Sequence, residues 1–349
     1  MKAVILAGGE GRRLKCITGD MPKPLVPLLG RSVMEHIIRL LRREGFYHIC
    51  AAVKYRAEDL ISAFGDGSAL GVRICWRVED EPLGTAGAVK NCADFYGDED
   101  FLVISGDAVC DMELSSLMRR LRERRAAAAV ALRRDSSPLR FGVAVTDAEG
   151  DIRALVEKPD WGAVVSDLVN TGVYALTPRA MSYVPEGRPF DFARDLFPEL
   201  LRRGERVAGV PAEGYWADIG TPLGYYRCCA DALEGKVRLD IAPEFLPGSE
   251  STSAPRKSIA ERGKPAAAVR DFPCADRAAA MGALSSLMLE MDADYSDGIS
   301  LRLPRGSVSI RPRADRSALH VAVDSPDAEF ASSLAVSLGE LIRAVESGG

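Results

Sequence analysis

The chain has 349 residues, 47% of them hydrophobic and 27% charged, with a formal net charge of -5. That length suits two domains and that composition a sizeable buried core. A sequence pI of about 5.5 argues against a nucleic-acid partner, and no apolar run approaches the ~20 residues of a membrane span.

The N-terminal part alternates strand-like and helix-like segments. Residues 2–6 form an apolar strand that ends in a glycine loop, and the short apolar opening lacks the build of a signal peptide, so a cytoplasmic protein is expected. Ser32 is placed to cap a helix whose apolar face carries Val33, Ile37, Ile38, Leu40 and Leu41, and Gly45 ends it. Residues 49–53, 72–78 and 101–105 read as buried strands, with short helices near 58–64 and 85–93. Strands separated by helical crossovers predict an α/β fold with a mostly parallel sheet and helices on both faces. Ligands in such sheets bind beyond the carboxyl ends of the strands, so the loops after Leu6, Val78 and Ser105 are expected on one rim. The eight cysteines include no C-x-x-C pair, and several lie in apolar runs. They read as small core residues of a reducing compartment. Three histidines without partner spacing exclude a zinc-type site.

From about residue 237 the texture changes to Pro, Ser, Gly and charge, which predicts a linker over 237–268. Beyond it, a helix over about 276–291, strands at 299–303, 307–311 and 318–323, and a last helix over about 328–345 predict a small α+β domain at 269–349. No internal repeat is present.

Chemistry concentrates in a few short segments. Leu6 to Leu14 reads LAGGEGRRL: Gly8, Gly9 and Gly11 let backbone N–H groups approach phosphate, and Arg12 or Arg13 adds a guanidinium fork. The pattern is neither a dinucleotide fingerprint nor a P-loop. Lys23 lies between Pro22 and Pro24, so its backbone is stiff and its aim fixed, as charge stabilisation requires. Singly, each segment has an ordinary structural reading: a turn glycine, a surface lysine, a capping aspartate.

Taken in order, these segments resemble the nucleotidyltransferases that make NDP-sugars. GGxGxRL is followed by PKP, then by EPLGTAGA at 81–88, SGDAVCD with Asp107, FGV at 141–143, EKP at 157–159, NTG at 170–172 and YWADIGTP with Asp218. The resemblance covers residues 1–236 and implies a catalytic domain with a Rossmann-like mixed sheet. It implies transfer of a nucleotidyl group from a nucleoside triphosphate to a sugar 1-phosphate, with Mg2+ held by Asp107 and Asp218. Arg13, Lys23 and Asp107 would carry catalysis. Leu6, Ala7, Gly8, Gly9, Gly11, Arg12, Glu79, Pro82, Gly84 and Thr85 would line the nucleotide. Gly142, Glu157, Lys158, Asn170 and Gly172 would receive the sugar phosphate. Two departures from the family pattern stand out: Arg12 where Thr is frequent, and Cys16 where Pro is frequent.

Glu79 bears on the base. An ionised carboxylate only accepts hydrogen bonds, which suits the adjacent N1–H and N2–H donors of guanine. With the PLGTAG resemblance to mannose-1-phosphate guanylyltransferases, this favours GTP and mannose 1-phosphate. Glucose 1-phosphate with UTP or dTTP is the nearest alternative, and a non-catalytic sugar-nucleotide regulator is another. The tail resembles the last domain of phosphohexomutases, with Arg311-Pro312 in place. Arg313, Ala314 and Asp315, however, occupy its phosphate loop, and no phosphoserine motif exists, so a mutase is not expected. The tail would support the mannose reading by association, or serve assembly into a homo-oligomer.

Overall fold

The computed structural model describes residues 1–11, 14, 21–135, 141–157, 166–240, 266–273, 293–294, 299–303, 306–313 and 318–325, with positions 328, 331, 334, 335, 338 and 342 of a C-terminal helix. Arg12, Arg13, Cys16, Lys158, Cys274, Asp315 and the helix expected over 276–291 lie outside the described residues. The chain divides into two compact units, Met1–Glu250 and Ser251–Gly349.

The first unit is built on a nine-stranded sheet. Strand β1 (Lys2–Ala7) is central and is followed by a short hairpin of β2 (Pro27–Leu28) and β3 (Arg31–Ser32). Helix α1 (Val33–Arg43) leads to β4 (His48–Val53), α2 (Ala57–Phe64) to β5 (Arg73–Val78), and α3 (Gly84–Lys90) with α4 (Ala93–Tyr96) to β6 (Phe101–Ser105). Strands β5, β4, β1 and β6 lie side by side and parallel. Ala3, Val4, Ile5, Val103 and Ile104 are fully buried, as expected for strands covered on both faces. The chain runs from β1 outward to β4 and β5, then returns to place β6 on β1's other side. That reversal opens a crevice beyond the ends of β1 and β6, where Gly106 N–H donates to Leu6 O at 2.7 Å.

The second half turns the sheet mixed. A short β7 (Ala108–Cys110) and helix α5 (Leu114–Glu123) precede β8 (Ala128–Arg134), β9 (Gly142–Thr146), β10 (Ile152–Glu157) and β11 (Leu168–Leu176). Strand β11 runs antiparallel to both β6 and β8. Helix α6 (Pro178–Met181), a π-turn at Phe192–Leu196 and helix α7 (Phe197–Arg202) lead to β12 (Val207–Pro211), parallel to β8. Strand β13 (Trp216–Asp218) leaves the main sheet to pair with β7, and α8 (Pro222–Leu233) follows.

The local signals of α1 act as expected. Ser32 accepts from Glu35 N–H at 3.2 Å, a cap worth about 1 kcal/mol, and Gly45 (φ 85°) takes the left-handed position after its end. His36 on this helix is buried among the apolar residues, with Nε2 donating to Leu28 O at 2.8 Å. Burial pushes its pKa down, although the Leu28 carbonyl and Glu35 act in the opposite sense. The unfolded chain therefore binds this proton more readily than the folded one. The stability involved is present above the ordinary histidine range, about pH 6.5, and is lost as pH falls below it. Urea unfolding of His36→Gln is expected to show a shallower loss of stability from pH 7 to pH 5 than the unsubstituted protein. The difference in slope should be at most about 1.4 kcal/mol per pH unit. Parallel slopes would show that His36 titrates alike in both states.

The six described free cysteines include four buried ones, Cys50, Cys92, Cys110 and Cys228. Among the described residues no helix is long and apolar enough to cross a membrane. The second unit is an antiparallel sheet in the order β14 (Ala266–Pro273), β18 (Ala318–Ser325), β17 (Gly306–Pro312), β16 (Ile299–Leu303), β15 (Ala293–Asp294). One face buries Val308, Ile310, Leu319, Val321 and Val323 against Ala331, Ala335, Leu338 and Ile342, whose spacing is that of one helix face. Strand β14 opens at Ala266, which pairs with Ser325, within the last residues of the span 237–268. The small side chains that open this edge strand carry no apolar signal.

Candidate active site

The rim of the parallel strands gathers most of the expected residues. Lys23 sits in a 3-10 turn, Lys23–Leu25, held by Leu25 N–H to Pro22 O at 2.8 Å. It is only 6% exposed, so it is not the surface lysine that a proline-rich loop suggests. Its stem packs against the glycine loop. Gly11 has φ 63°, and a Cβ there would stand 3.0 Å from Lys23 Cβ. Glycine is thus required at 11 both by the backbone and by the lysine beside it.

The Lys23 ammonium bonds Asp107 Oδ2 at 2.7 Å and Asp218 Oδ1 at 3.3 Å, residues 84 and 195 positions away. Asp107 follows β6 at the crevice, and Ser105 Oγ donates to its other oxygen at 2.5 Å. Burial alone would push the Asp107 carboxyl up. The Lys23 charge, with the bonds from Lys23 and Ser105, outweighs it and holds the group below the ordinary carboxylate range. Asp218 arrives by another route. In the β7–β13 ribbon it pairs with Ala108, the neighbour of Asp107, and its Oδ1 accepts Gly220 N–H at 2.8 Å.

A cleft of about 250 Å3 opens from these groups, with Thr85 and Asp191 at one part and Glu157, Asn170 and Gly172 at another. Gly142 and Glu157 are directly paired on β9 and β10, and a Cβ at 142 would lie 2.8 Å from Glu157 Oε2. The glycine leaves the carboxylate its place. The NTG segment interrupts the register of β11 between Asn170 and Tyr174, with Gly172 at φ 78°. Asn170 Oδ1 accepts Gly172 N–H, and its Nδ2 donates to Tyr174 OH, each at 3.0 Å. Such an irregularity turns a strand's side chains toward a site.

Glu79 follows β5 on the same rim and is 8% exposed. Burial pushes its pKa up, while Leu83 N–H, 3.2 Å from Oε2, and Lys54 act against it. A Cβ on Gly8 would meet its Oε1 at 3.5 Å, whereas one on Gly9 would meet nothing within 4 Å. Pro82 is exposed beside it. Gly84 and Thr85 pack against a remote segment. A Cβ on Gly84 (φ 69°) would meet Phe190 O at 2.6 Å, and Thr85 Oγ1 donates to Asp191 Oδ2 at 2.8 Å and accepts Phe192 N–H at 3.0 Å. The segment thus docks onto residues 188–192. Arg13, Arg12 and Lys158 cannot be placed among these groups, being outside the described residues.

Ser105, Asp191 and Trp216 also line the cleft, though sequence reasoning assigns them no role. Ser105 stands in the SGD segment itself, whereas Asp191 has no local pattern. Trp216 meets Phe141 edge-on at 5.2 Å, and its buried indole N–H finds no protein partner among the described residues.

The sequence profile of the family described as Nucleotidyl transferase matches residues 2–235. The chain belongs to that family. The match ends before the C-terminal unit. A UTP–glucose-1-phosphate uridylyltransferase of Synechocystis is 35% identical over 263 residues, 72% of this chain and 67% of that protein. A mannose-1-phosphate guanylyltransferase of Mycobacterium tuberculosis is 33% identical over 234 residues, 67% of this chain and 65% of that protein. The crystal structure of HddC from Yersinia pseudotuberculosis complexed with GMP-PN superposes with a TM-score of 0.58 at 27% identity, covering 66% of this chain and 99% of that one.

Proposed function

We propose that this member of the nucleotidyl transferase family joins a nucleoside triphosphate to a sugar 1-phosphate and releases pyrophosphate, with GTP and mannose 1-phosphate as the pair. The meeting of Asp107, Asp218 and Lys23 at the head of one cleft carries this reading.

In the reaction a sugar phosphate oxygen attacks the α-phosphorus. A new P–O bond forms while the bond to the β-phosphate bridge oxygen breaks, and the electron pair leaves with pyrophosphate. Positioning and charge neutralisation dominate such chemistry. The Asp107 and Asp218 side chains form a hard oxygen donor set, and among the described residues no third carboxylate, histidine or cysteine completes a protein cage. That set fits Mg2+, which binds through one or two carboxylates, water and substrate phosphates. Bound there, Mg2+ would neutralise phosphate charge. Lys23 holds the two carboxylates together and favours the ionised form of Asp107. Glu157 offers acceptors and the Trp216 N–H a donor to sugar hydroxyls. The open side of Gly9 admits phosphate to the backbone.

Glu79 supports guanine: it is buried against Gly8 of the glycine loop and can only accept hydrogen bonds when ionised. Uridylyl transfer to glucose 1-phosphate is the competing reading, favoured by the Synechocystis relative. Incubating the protein with GTP, UTP, dTTP, ATP or CTP, each with mannose or glucose 1-phosphate and Mg2+, and identifying the product decides between them. No turnover with any pair would leave a binding regulator. For Glu79→Gln, kcat/KM with GTP is expected to fall about 10- to 100-fold, the worth of a charged hydrogen bond, with little change for UTP. An equal fall for both would remove Glu79 from base selection.

A further inference from the structure

Asp111 lies just past β7, is 5% exposed, and does not line the cleft. It fastens two remote segments to the end of that strand. Its backbone N–H donates to Tyr215 O at 3.1 Å, and its Oδ1 accepts Tyr215 N–H at 2.6 Å. Its Oδ2 accepts Arg238 N–H at 2.8 Å, with the Arg238 Nε 3.5 Å away. Gly214 stands at φ 101°, and a Cβ there would lie 2.6 Å from Asp111 Oδ1. The turn before β13 is therefore shaped around this carboxylate.

The ribbon that delivers Asp218 has only three rungs: Trp216 to Cys110, Ala217 to Val109 and Asp218 to Ala108. A ribbon so short has little stability of its own. A slip by one residue would turn Asp218 to the opposite face. The end nearest Asp218 opens on the cleft; Arg133 Nη1 donates to Trp216 O at 2.7 Å within the ribbon, and at the other end Asp111 holds Tyr215 by both its backbone and its carboxylate. We infer that Asp111 is the positioning residue that sets the β7–β13 register and thereby brings Asp218 to Asp107 and Lys23. This rests on the proposed metal role of the two aspartates. The carboxylate is needed at both of its oxygens. An asparagine would place an NH2 against Tyr215 N–H or Arg238 N–H, and two donors cannot bond.

The test is calorimetric titration of the full chain with GTP, and in parallel with UTP, without sugar 1-phosphate, in Mg2+ and in EDTA. The unsubstituted protein is expected to bind its nucleotide more tightly in Mg2+. Asp218→Asn is the control for the metal reading and should lose that gain; if it keeps the gain, the metal reading falls and this inference with it. Where the control loses the gain, Asp111→Asn is expected to bind nucleotide in EDTA within about twofold of the unsubstituted protein. Its Mg2+ gain should shrink about 10-fold or more, as for residues that orient metal ligands, and kcat should fall with KM for the sugar 1-phosphate little changed. A lower Tm with the full Mg2+ gain would make Asp111 merely structural and overturn the inference. If Asp111→Asn does not fold, Gly214→Ala, which crowds the same oxygen, replaces it with the same two outcomes.

Discussion

Asp107→Asn and Asp218→Asn are each expected to lower kcat by on the order of 10²–10³, with Tm within a few degrees of the unsubstituted protein. The effect on rate and the effect on stability separate for a structural reason. Lys23 bonds both carboxylates, so removing one charge leaves the buried ammonium its other partner. The fold would therefore keep its ion pair while the site would lose one of the two proposed metal ligands. The double substitution removes both charges. It should cost little more in rate than either single one, because groups that act as a unit are not additive. It should cost more in stability, since Lys23 would be buried without a counter-charge. Steady-state rates with thermal melts of all three variants check this. A single Asn variant with unchanged kcat would place that aspartate outside the reaction.

How far the sequence discloses this arrangement depends on the range of the interactions. Strands β1, β4 and β6 are legible because burial on both faces demands continuous apolar runs, and the Ser32 cap because it acts within three residues. The antiparallel half is less legible. The NTG segment is visible as a motif, but the break in β11's register depends on its partner strand β8. Asp111 and Asp191 bond partners 104 and 106 residues away and leave no periodic mark on their neighbours. The prolines around Lys23 signal stiffness, but its burial follows from Gly11 and from two distant aspartates. The start of β14 is hidden for a different reason: its first residues are alanines that continue the composition of the linker.

Lys23→Met tests the other half of the charge arrangement. Methionine keeps the apolar stem that packs beside Gly11 and removes only the ammonium, so a packing defect is small. The two carboxylates then face each other without a cation, and burial, which already favours the protonated Asp107, is opposed chiefly by Ser105. The sign follows. In the unsubstituted protein the Asp107 carboxyl is held below its ordinary range, so its ionised form survives until pH falls well into acid. In Lys23→Met its pKa rises, and the acid limb of the kcat/KM profile should move to higher pH. At neutral pH, kcat is expected to drop by on the order of 10²–10³, because in the proposed reaction the ammonium would also neutralise phosphate charge as the α–β bridge breaks. Lys23→Arg should not restore the rate, since a planar guanidinium does not fit the space of one ammonium between two carboxylates and a glycine turn. A pH–rate profile of Lys23→Met with its acid limb unmoved would mean that Lys23 does not govern the ionisation of Asp107. An unchanged kcat would remove it from the chemistry altogether.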